Sequence, residues 1–157
     1  MTIIPNILDH IGFWSPAVLV LIGLIEINDT MWMKPIFLTL VVFNIIINKA
    51  LKSLIQQERP YDSQLLYDFE DYRDEEQYGM PSGHAELSAF SVVYIYLMTR
   101  SKKWLLGGIF LTFLTCIQRW RFNLHSIPQL FIGLIVGTLM GIGLHKGTKE
   151  YLKTLYN

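Results

Sequence analysis

The sequence predicts an all-α, integral-membrane helical bundle with about five transmembrane helices, and two observations support this fold class. Hydrophobic residues make up 52% of the 157-residue chain and charged residues only 17%, whereas a soluble domain carries about 25% charged residues. Five apolar segments also approach the length of about 20 residues that crosses a bilayer. A soluble bundle with long core helices is the alternative, but five such segments fit poorly into so short a soluble chain. We expect one domain, residues 1–157.

The five predicted spans are joined by short connections, with one exception. They cover residues 11–27, 31–55, 81–99, 104–120 and 126–144. The long connection, residues 56–80, is rich in Asp and Glu and is predicted to be a solvated loop. A calcium site is the weaker interpretation, because the spacing of these acidic residues matches no EF-hand loop.

Polar side chains interrupt two of the spans. In the second span, Asn44, Asn48 and Lys52 recur at every fourth position and therefore share one helix face. The third span contains His84 and Glu86. Polar groups at membrane depth are costly and usually face the bundle interior or an aqueous cavity. We expect the two asparagines to hold helices together, and Glu86 to lie beside the pocket.

Small residues mark the fifth span. Gly133, Gly137 and Gly141 are also four residues apart. Glycines at this spacing let two helices approach closely. The sequence therefore predicts a close helix-packing face here, and no ligand site.

The distribution of basic residues predicts the orientation in the membrane. With five spans, the N-terminus, the 56–80 loop and the 119–125 turn share one face, which we call side A. The opposite face, side B, carries seven basic residues: Lys34, Arg100, Lys102, Lys103, Lys146, Lys149 and Lys153. Basic loops stay in the cytoplasm, so side B and the C-terminus are predicted to be cytoplasmic. Side A is then lumenal, periplasmic or extracellular.

Three polar clusters are all predicted to lie on side A. They are Lys52 with Arg59-Pro60, the run Pro81-Ser82-Gly83-His84, and Arg119 with His125. Scattered polar residues would not be expected to collect on one face of a membrane. Their convergence is the main argument from the residues for an active site.

The residue types in these clusters suit a phosphate group. Arg59 and Arg119 offer forked donors to phosphate oxygens, and Lys52 adds a point charge. Ser82 and Gly83 fall where a helix begins, so the backbone N–H groups and the positive end of the helix dipole favour an anion. These residues are therefore candidates for binding phosphate.

Two histidines, His84 and His125, allow one imidazole to attack phosphorus and the other to protonate the leaving oxygen. No carboxylate cluster accompanies them, so we expect no metal and no other cofactor. The net charge is zero, which gives no indication of a nucleic-acid partner. The single cysteine, Cys116, excludes an internal disulfide.

The three clusters resemble the type 2 phosphatidic acid phosphatase (PAP2) superfamily, whose pattern is K-x6-R-P, P-S-G-H and S-R-x5-H-x3-D. The resemblance implies a membrane-embedded, metal-independent hydrolase of lipid phosphoesters or diphosphates. It implies that His125 is the nucleophile and forms a phosphohistidine, with His84 as the general acid. The phosphate-binding residues that it implies are Lys52, Arg59, Ser82, Gly83 and Arg119.

Two positions depart from this pattern. Gln118 replaces the serine before Arg119, and Gln129 replaces the aspartate that orients the nucleophile. The dolichyl-diphosphatase branch resembles the chain more closely, since it carries glutamine at the second position and a similar Tyr78–Ser82 stretch. This implies a polyprenyl diphosphate substrate, with Gln129 orienting His125.

Two alternatives stay open. One is a phosphatidic acid or lysolipid phosphatase, and the other is an inactive PAP2-like membrane protein with a binding or structural role. The implied partners are the bilayer and a lipid phosphate or diphosphate. Association of the chain into a homo-oligomer is also left open.

Overall fold

The protein is described here by a computed structural model that covers residues 3–27, 32–70 and 78–156. Five α-helices run through these residues: α1 (Ile7–Glu26), α2 (Met33–Ile55), α3 (Gly83–Thr99), α4 (Lys102–Arg121) and α5 (Ile127–Tyr156). A single 3-10 turn, Asp68–Glu70, lies in the long loop. The described residues include no β-strand, only one isolated bridge between Glu58 and Tyr78. The predicted all-helical fold class is confirmed.

Helix α1 begins four residues before the predicted start at residue 11. Its N-cap is Asn6, whose side chain accepts hydrogen bonds from the backbone N–H groups of Leu8 and Asp9. Asp9 in turn accepts a hydrogen bond from the Asn6 N–H at 2.8 Å. This reciprocal capping box satisfies N–H groups that the first turn of a helix leaves without partners. The Asn6–Asp9 spacing was the local signal for the earlier start.

Helix α5 continues to Tyr156, twelve residues beyond the predicted end at residue 144. The prediction followed the end of the apolar stretch, which marks where a helix leaves the hydrocarbon and not where its hydrogen bonding stops. The residues that follow include Lys149, Glu150 and Lys153, which are good helix formers. The other differences are smaller: α3 begins at Gly83 and not at residue 81, and α4 covers 102–121 and not 104–120.

Helix α3 lies at the centre of the bundle and packs against all four other α-helices, most extensively against α5. The three glycines of α5 form this contact, as predicted. A Cβ atom on Gly133 would lie 2.7 Å from the Ser82 carbonyl oxygen, and one on Gly141 would lie 2.9 Å from the Val93 side chain. A Cβ atom on Gly137 would lie closer still to the Glu86 carbonyl oxygen. The two helices can therefore lie this close only because these three positions are glycines and have no side chain.

Within the described residues, three helices are long and apolar enough to cross a membrane by themselves, namely α1, α2 and α5. Helix α3 has 17 residues, and α4 carries basic residues in both its first and last turns. Large apolar side chains are exposed on the outside of the bundle, among them Val42, Phe43, Phe110 and Phe131. An exposed apolar surface of this extent is typical of contact with lipid.

The two ends of the bundle differ in character. The side-B half holds a hydrophobic core that includes Phe37 of α2 and Phe90 and Tyr94 of α3. At the side-A end, the C-terminal ends of α2 and α4 meet the N-terminal ends of α3 and α5. The three polar clusters of the sequence lie on these helix ends and the adjoining loops.

Candidate active site

A cavity of about 480 Å³ lies at the side-A end, and residues of all three polar clusters line it. Its lining includes six of the eight predicted site residues: Lys52, Arg59, Gly83, His84, Arg119 and His125. The other two, Ser82 and Gln129, are buried beside these residues. Segments up to 73 residues apart in sequence, from Lys52 to His125, are thus brought to one place.

The first cluster reaches the cavity through the last turn of α2 and the loop after it. Lys52 is 7% exposed. Gln56 ends the helix in a left-handed conformation, with φ of 52°. The Glu58–Tyr78 bridge and a hydrogen bond from the Gly79 N–H to the Gln57 carbonyl (2.7 Å) close the loop on itself. Arg59 is then held over the third cluster, where its Nη1 donates to the Leu124 carbonyl at 3.3 Å.

The second cluster forms the start of α3. Ser82 is the N-cap residue and is fully buried. Its N–H donates to the Gln129 carbonyl at 3.0 Å, and its hydroxyl has no hydrogen-bond partner among the described residues. A buried hydroxyl at a helix N-terminus is suited to donate to an anion there. His84 follows one residue into the helix, and its ring lines the cavity.

The third cluster places His125 in the turn between α4 and α5, where it is 3% exposed. Its Nδ1 lies 3.4 Å from Gln129 Oε1, and its Nε2 lies 3.4 Å from Arg59 Nη1. A guanidinium can only donate, so Nε2 must be the acceptor and Nδ1 must carry the proton. The unprotonated Nε2 therefore lies on the Arg59 side of the ring.

Burial of His125 lowers its pKa well below the ordinary value, and the positive charges of Arg59, Arg119 and Lys52 lower it further. The hydrogen bond with Gln129 acts in the opposite direction and raises the pKa. The imidazole is therefore neutral at neutral pH, with a lone pair on Nε2. This is the protonation state that a nucleophilic histidine needs.

Gln129 is 1% exposed and connects the three clusters. Its Nε2 donates to the Glu58 carbonyl at 2.8 Å, and its Oε1 accepts from the Ser126 N–H at 3.1 Å. These two bonds determine which way the amide points, so Oε1 is the atom that faces His125. Gly79 packs on the same amide, and a Cβ there would lie 2.7 Å from it.

Gln118, the other departure from the superfamily pattern, lies elsewhere. It is fully buried where α4 meets α1, and a Cβ on Gly12 would lie 2.9 Å from its own Cβ. Neither atom of its amide group has a hydrogen-bond partner among the described residues. Gln118 does not line the cavity.

Sequence reasoning missed Phe13, which belongs to α1 and is 6% exposed. The Arg119 guanidinium carbon lies 5.0 Å from the centre of the Phe13 ring, within the range of a cation–π interaction. The His84 ring lies 5.7 Å from the same ring. Thr115 of α4 donates to the Gly12 carbonyl at 2.9 Å and so holds α1 against α4. No local pattern in the sequence marks this contact, because it joins residues about a hundred positions apart.

The two asparagines of α2 hold helices together, as predicted. Asn44 and Asn48 donate to the two carboxylate oxygens of Glu86 at 3.2 and 2.6 Å. The Asn48 side chain also donates to the Pro81 carbonyl at 3.3 Å, so the hydrogen-bond network reaches the start of α3. Glu86 is fully buried and, through Asn48, helps to hold the second cluster in place. It does not line the cavity.

No group of three or more His, Cys, Asp or Glu side chains suited to hold a metal ion occurs in the described ranges. Part of the acidic loop, residues 71–77, lies outside these ranges. The weaker calcium interpretation of that loop therefore receives no support from residues 56–70 and 78–80.

Comparison with known proteins identifies the class. The PAP2 superfamily model matches residues 34–152, and the chain belongs to this superfamily, as the spacing of its three clusters predicted. The matched range includes every predicted site residue, while Phe13 lies outside it.

Two relatives narrow the comparison. The chain is 30% identical to dolichyldiphosphatase of Saccharomyces cerevisiae over an alignment of 110 residues. The match covers 64% of this chain but only 45% of that protein. The chain therefore spans about half the length of this curated relative. It also resembles the crystal structure of a transmembrane PAP2-type phosphatidylglycerolphosphate phosphatase from Bacillus subtilis. That likeness has a TM-score of 0.65 at 23% identity and covers 92% of this chain and 74% of the other. It confirms the membrane-embedded helical fold.

Proposed function

We propose that this chain is a membrane phosphatase that hydrolyses a lipid phosphate or diphosphate, with a polyprenyl diphosphate as the favoured substrate. The observation that carries the proposal is the cavity itself. One end brings together Lys52, Arg59, Arg119 and two histidines. Beyond that end most of the wall is apolar, with Pro16, Ala17, Ile45 and Leu87 beside the two asparagines of α2. A charged headgroup joined to an apolar chain is the ligand that complements such a cavity.

In the proposed reaction, Lys52, Arg59 and Arg119 hold the phosphoryl oxygens, together with the Ser82 hydroxyl and the first N–H groups of α3. His125 Nε2 attacks phosphorus, and the bond between phosphorus and the leaving oxygen breaks. His84 gives its proton to that oxygen. Water then attacks the phosphohistidine, its proton passes to His84, and inorganic phosphate leaves. Gln129 keeps the proton of His125 on Nδ1 throughout.

No step in this scheme needs a metal ion, since cationic side chains supply the charge that stabilises the transition state. Metal independence is therefore part of the proposal. The proposed location of the reaction is the non-cytoplasmic face, with the C-terminus in the cytoplasm. The support is the excess of Lys and Arg on side B. Labelling of single cysteines introduced at side A and side B in intact cells tests this orientation.

The activity is tested by phosphate release from detergent-solubilised protein in the presence of a chelator. The substrates are a polyprenyl diphosphate, the matching monophosphate, phosphatidic acid and a lysophosphatidic acid. We expect release that resists the chelator, is fastest with the diphosphate, and falls at least 1,000-fold, on the order expected for loss of a nucleophile, in His125→Ala. Tight binding of phosphate without turnover would instead favour the inactive, binding interpretation.

A further inference from the structure

Four aromatic side chains of α1 and the long loop pack into one group, which we call the aromatic wall: Phe13, Trp14, Tyr67 and Phe69. The rings of Tyr67 and Phe69 stack at 5.1 Å, with an angle of 11° between their planes. Both rings also lie against Phe13, at 4.8 and 5.9 Å. Trp14 contacts the Phe13 ring edge-on at 5.0 Å. The aromatic wall therefore joins the loop to the first half of α1.

Hydrogen bonds hold the aromatic wall in place. The indole N–H of Trp14 donates to the Tyr67 hydroxyl at 3.2 Å, and His10 Nδ1 lies 2.8 Å from the same hydroxyl. The loop itself is tied to the turn after α4, because the Gln64 N–H donates to the Phe122 carbonyl at 2.8 Å. The polar atoms of Trp14 and Tyr67 thus bond to each other, and the rings present their apolar faces.

Three members of the aromatic wall, Phe13, Trp14 and Phe69, line the cavity. Phe13 connects the wall to the proposed phosphate site, since its ring lies 5.0 Å from the Arg119 guanidinium carbon and 5.7 Å from the His84 ring. Trp14 and Phe69 are 48% and 61% exposed, so their ring faces are accessible to a ligand. A chain attached to a phosphoryl group there, directly or through a second phosphoryl group, therefore passes along aromatic rings.

The two asparagines of α2 also line the cavity, but their N–H groups are directed into the protein. Asn44 Nδ2 donates to Glu86 Oε1 at 3.2 Å and lies 3.3 Å from Met140 Sδ, and Asn48 makes the two bonds described above. The Trp14 N–H is engaged within the aromatic wall. A hydrocarbon chain needs none of these donors, whereas a buried ester or hydroxyl oxygen without a donor is costly.

We infer that the aromatic wall binds the first isoprene units of a polyprenyl chain and makes the enzyme prefer prenyl phosphates to glycerol-based phospholipids. This inference rests on the proposed function. Isoprene units carry methyl branches and flat double bonds, whose C–H groups and faces pack well on aromatic rings. In a glycerol phospholipid, oxygen-bearing glycerol carbons would occupy the same position. Trp14 and Phe69 are then residues that determine the specificity for the lipid chain.

The test compares a prenyl monophosphate with a lysophosphatidic acid of similar carbon number, since each carries one phosphate and one chain. For Phe69→Ala, we expect kcat/KM to fall about 3- to 10-fold on the prenyl phosphate, the range for one aromatic contact. On the lysophosphatidic acid, it should change by less than about twofold. Phe69→Tyr keeps a ring and should keep the preference for the prenyl phosphate.

Phe110→Ala is the matched control for Phe69→Ala. Phe110 is 58% exposed, close to the 61% of Phe69, but it belongs to α4 and does not line the cavity. Its removal should change kcat/KM on neither substrate. Because both phenylalanines are largely exposed, both variants should unfold near the temperature of the wild type.

A binding measurement decides the inference independently of turnover. A prenyl phosphonate should stabilise the solubilised wild type against heat at a lower concentration than the phosphonate analogue of lysophosphatidic acid does, and Phe69→Ala should lose most of this difference. Equal losses of kcat/KM on both substrates, or an unchanged preference for the prenyl phosphonate in Phe69→Ala, would overturn the inference and leave the proposed function standing. A wild type that releases no phosphate from any lipid would overturn the proposed function, and the phosphonate comparison would still decide what the aromatic wall binds.

Discussion

Replacement of Gln129 by alanine tests how the nucleophile is oriented. The change removes the Oε1 atom that faces His125 Nδ1 at 3.4 Å and the Nε2 atom that donates to the Glu58 carbonyl at 2.8 Å. His125 becomes cationic as it attacks, so the Gln129 contact strengthens in the transition state. A hydrogen bond to a charged group contributes about 1.5–3 kcal/mol, and we therefore expect kcat to fall about 10- to 150-fold. KM should change little, because Lys52, Arg59 and Arg119 remain.

Gln118→Ala is the matched control for this variant. Gln118 is as deeply buried as Gln129, but neither atom of its amide group has a hydrogen-bond partner among the described residues. Its removal should leave kcat within about threefold of the wild type, since no group of the cavity depends on it. Phosphate release at saturating substrate measures both variants, with thermal unfolding in detergent as a check on folding. Equal effects of Gln118→Ala and Gln129→Ala on kcat would refute the orienting role.

Gln129→Asp sharpens the same test, because aspartate is the residue of the superfamily pattern at this position. A carboxylate retains an acceptor for His125 but cannot donate to the Glu58 carbonyl. A buried acceptor left without a partner costs about 1–3 kcal/mol. We therefore expect Gln129→Asp to be less stable than the wild type and no more active. Activity above that of the wild type would show that the Glu58 contact does not matter.

Two further predictions concern Phe13 and the pH dependence. Phe13→Leu removes the aromatic face under Arg119 and should lower kcat/KM about 3- to 30-fold, whereas Phe13→Tyr keeps an aromatic ring and should keep the activity. Phe37→Leu, in the side-B core, is the control and should lower only the unfolding temperature. Equal activity of the two leucine variants would contradict this prediction. The pKa of His125 is held below its ordinary value of about 6.5, so the acid limb of the pH profile of kcat/KM should lie below pH 6.5. Arg59→Gln removes a positive charge beside His125 and should therefore move this limb to higher pH. An acid limb that stays in place in Arg59→Gln would refute the electrostatic cause.

The same lowered pKa affects stability. Above pH 6.5, about the pKa of a histidine in an unfolded chain, His125 is neutral in both the folded and the unfolded protein. As the pH falls below that value, the unfolded chain takes up the proton first, so His125 makes the folded state progressively less stable. The folded pKa marks the lower end of this window.

Much of the helical framework could be predicted from the sequence, because its signals are local. Apolar length located all five helices, and the spacing of Asn44, Asn48 and Lys52 placed them on one buried face. The four-residue spacing of Gly133, Gly137 and Gly141 predicted a close helix-packing face on α5, and the structure identified α3 as its partner. The two largest errors, at the start of α1 and the end of α5, arose where capping and helix propensity extend a helix beyond its apolar segment.

For the candidate site, the sequence by itself determined which residues meet, because the three clusters have a characteristic spacing and the alternation of spans brings them to one face. Only the tertiary structure decided how they are held. It placed the Glu58 carbonyl on Gln129, Phe13 under Arg119, and Glu86 between the two asparagines. These contacts join residues 38 to 106 positions apart. The first two involve a backbone carbonyl and a ring face. Such groups have no sequence pattern of their own, since every residue carries a carbonyl and most buried rings serve only for packing.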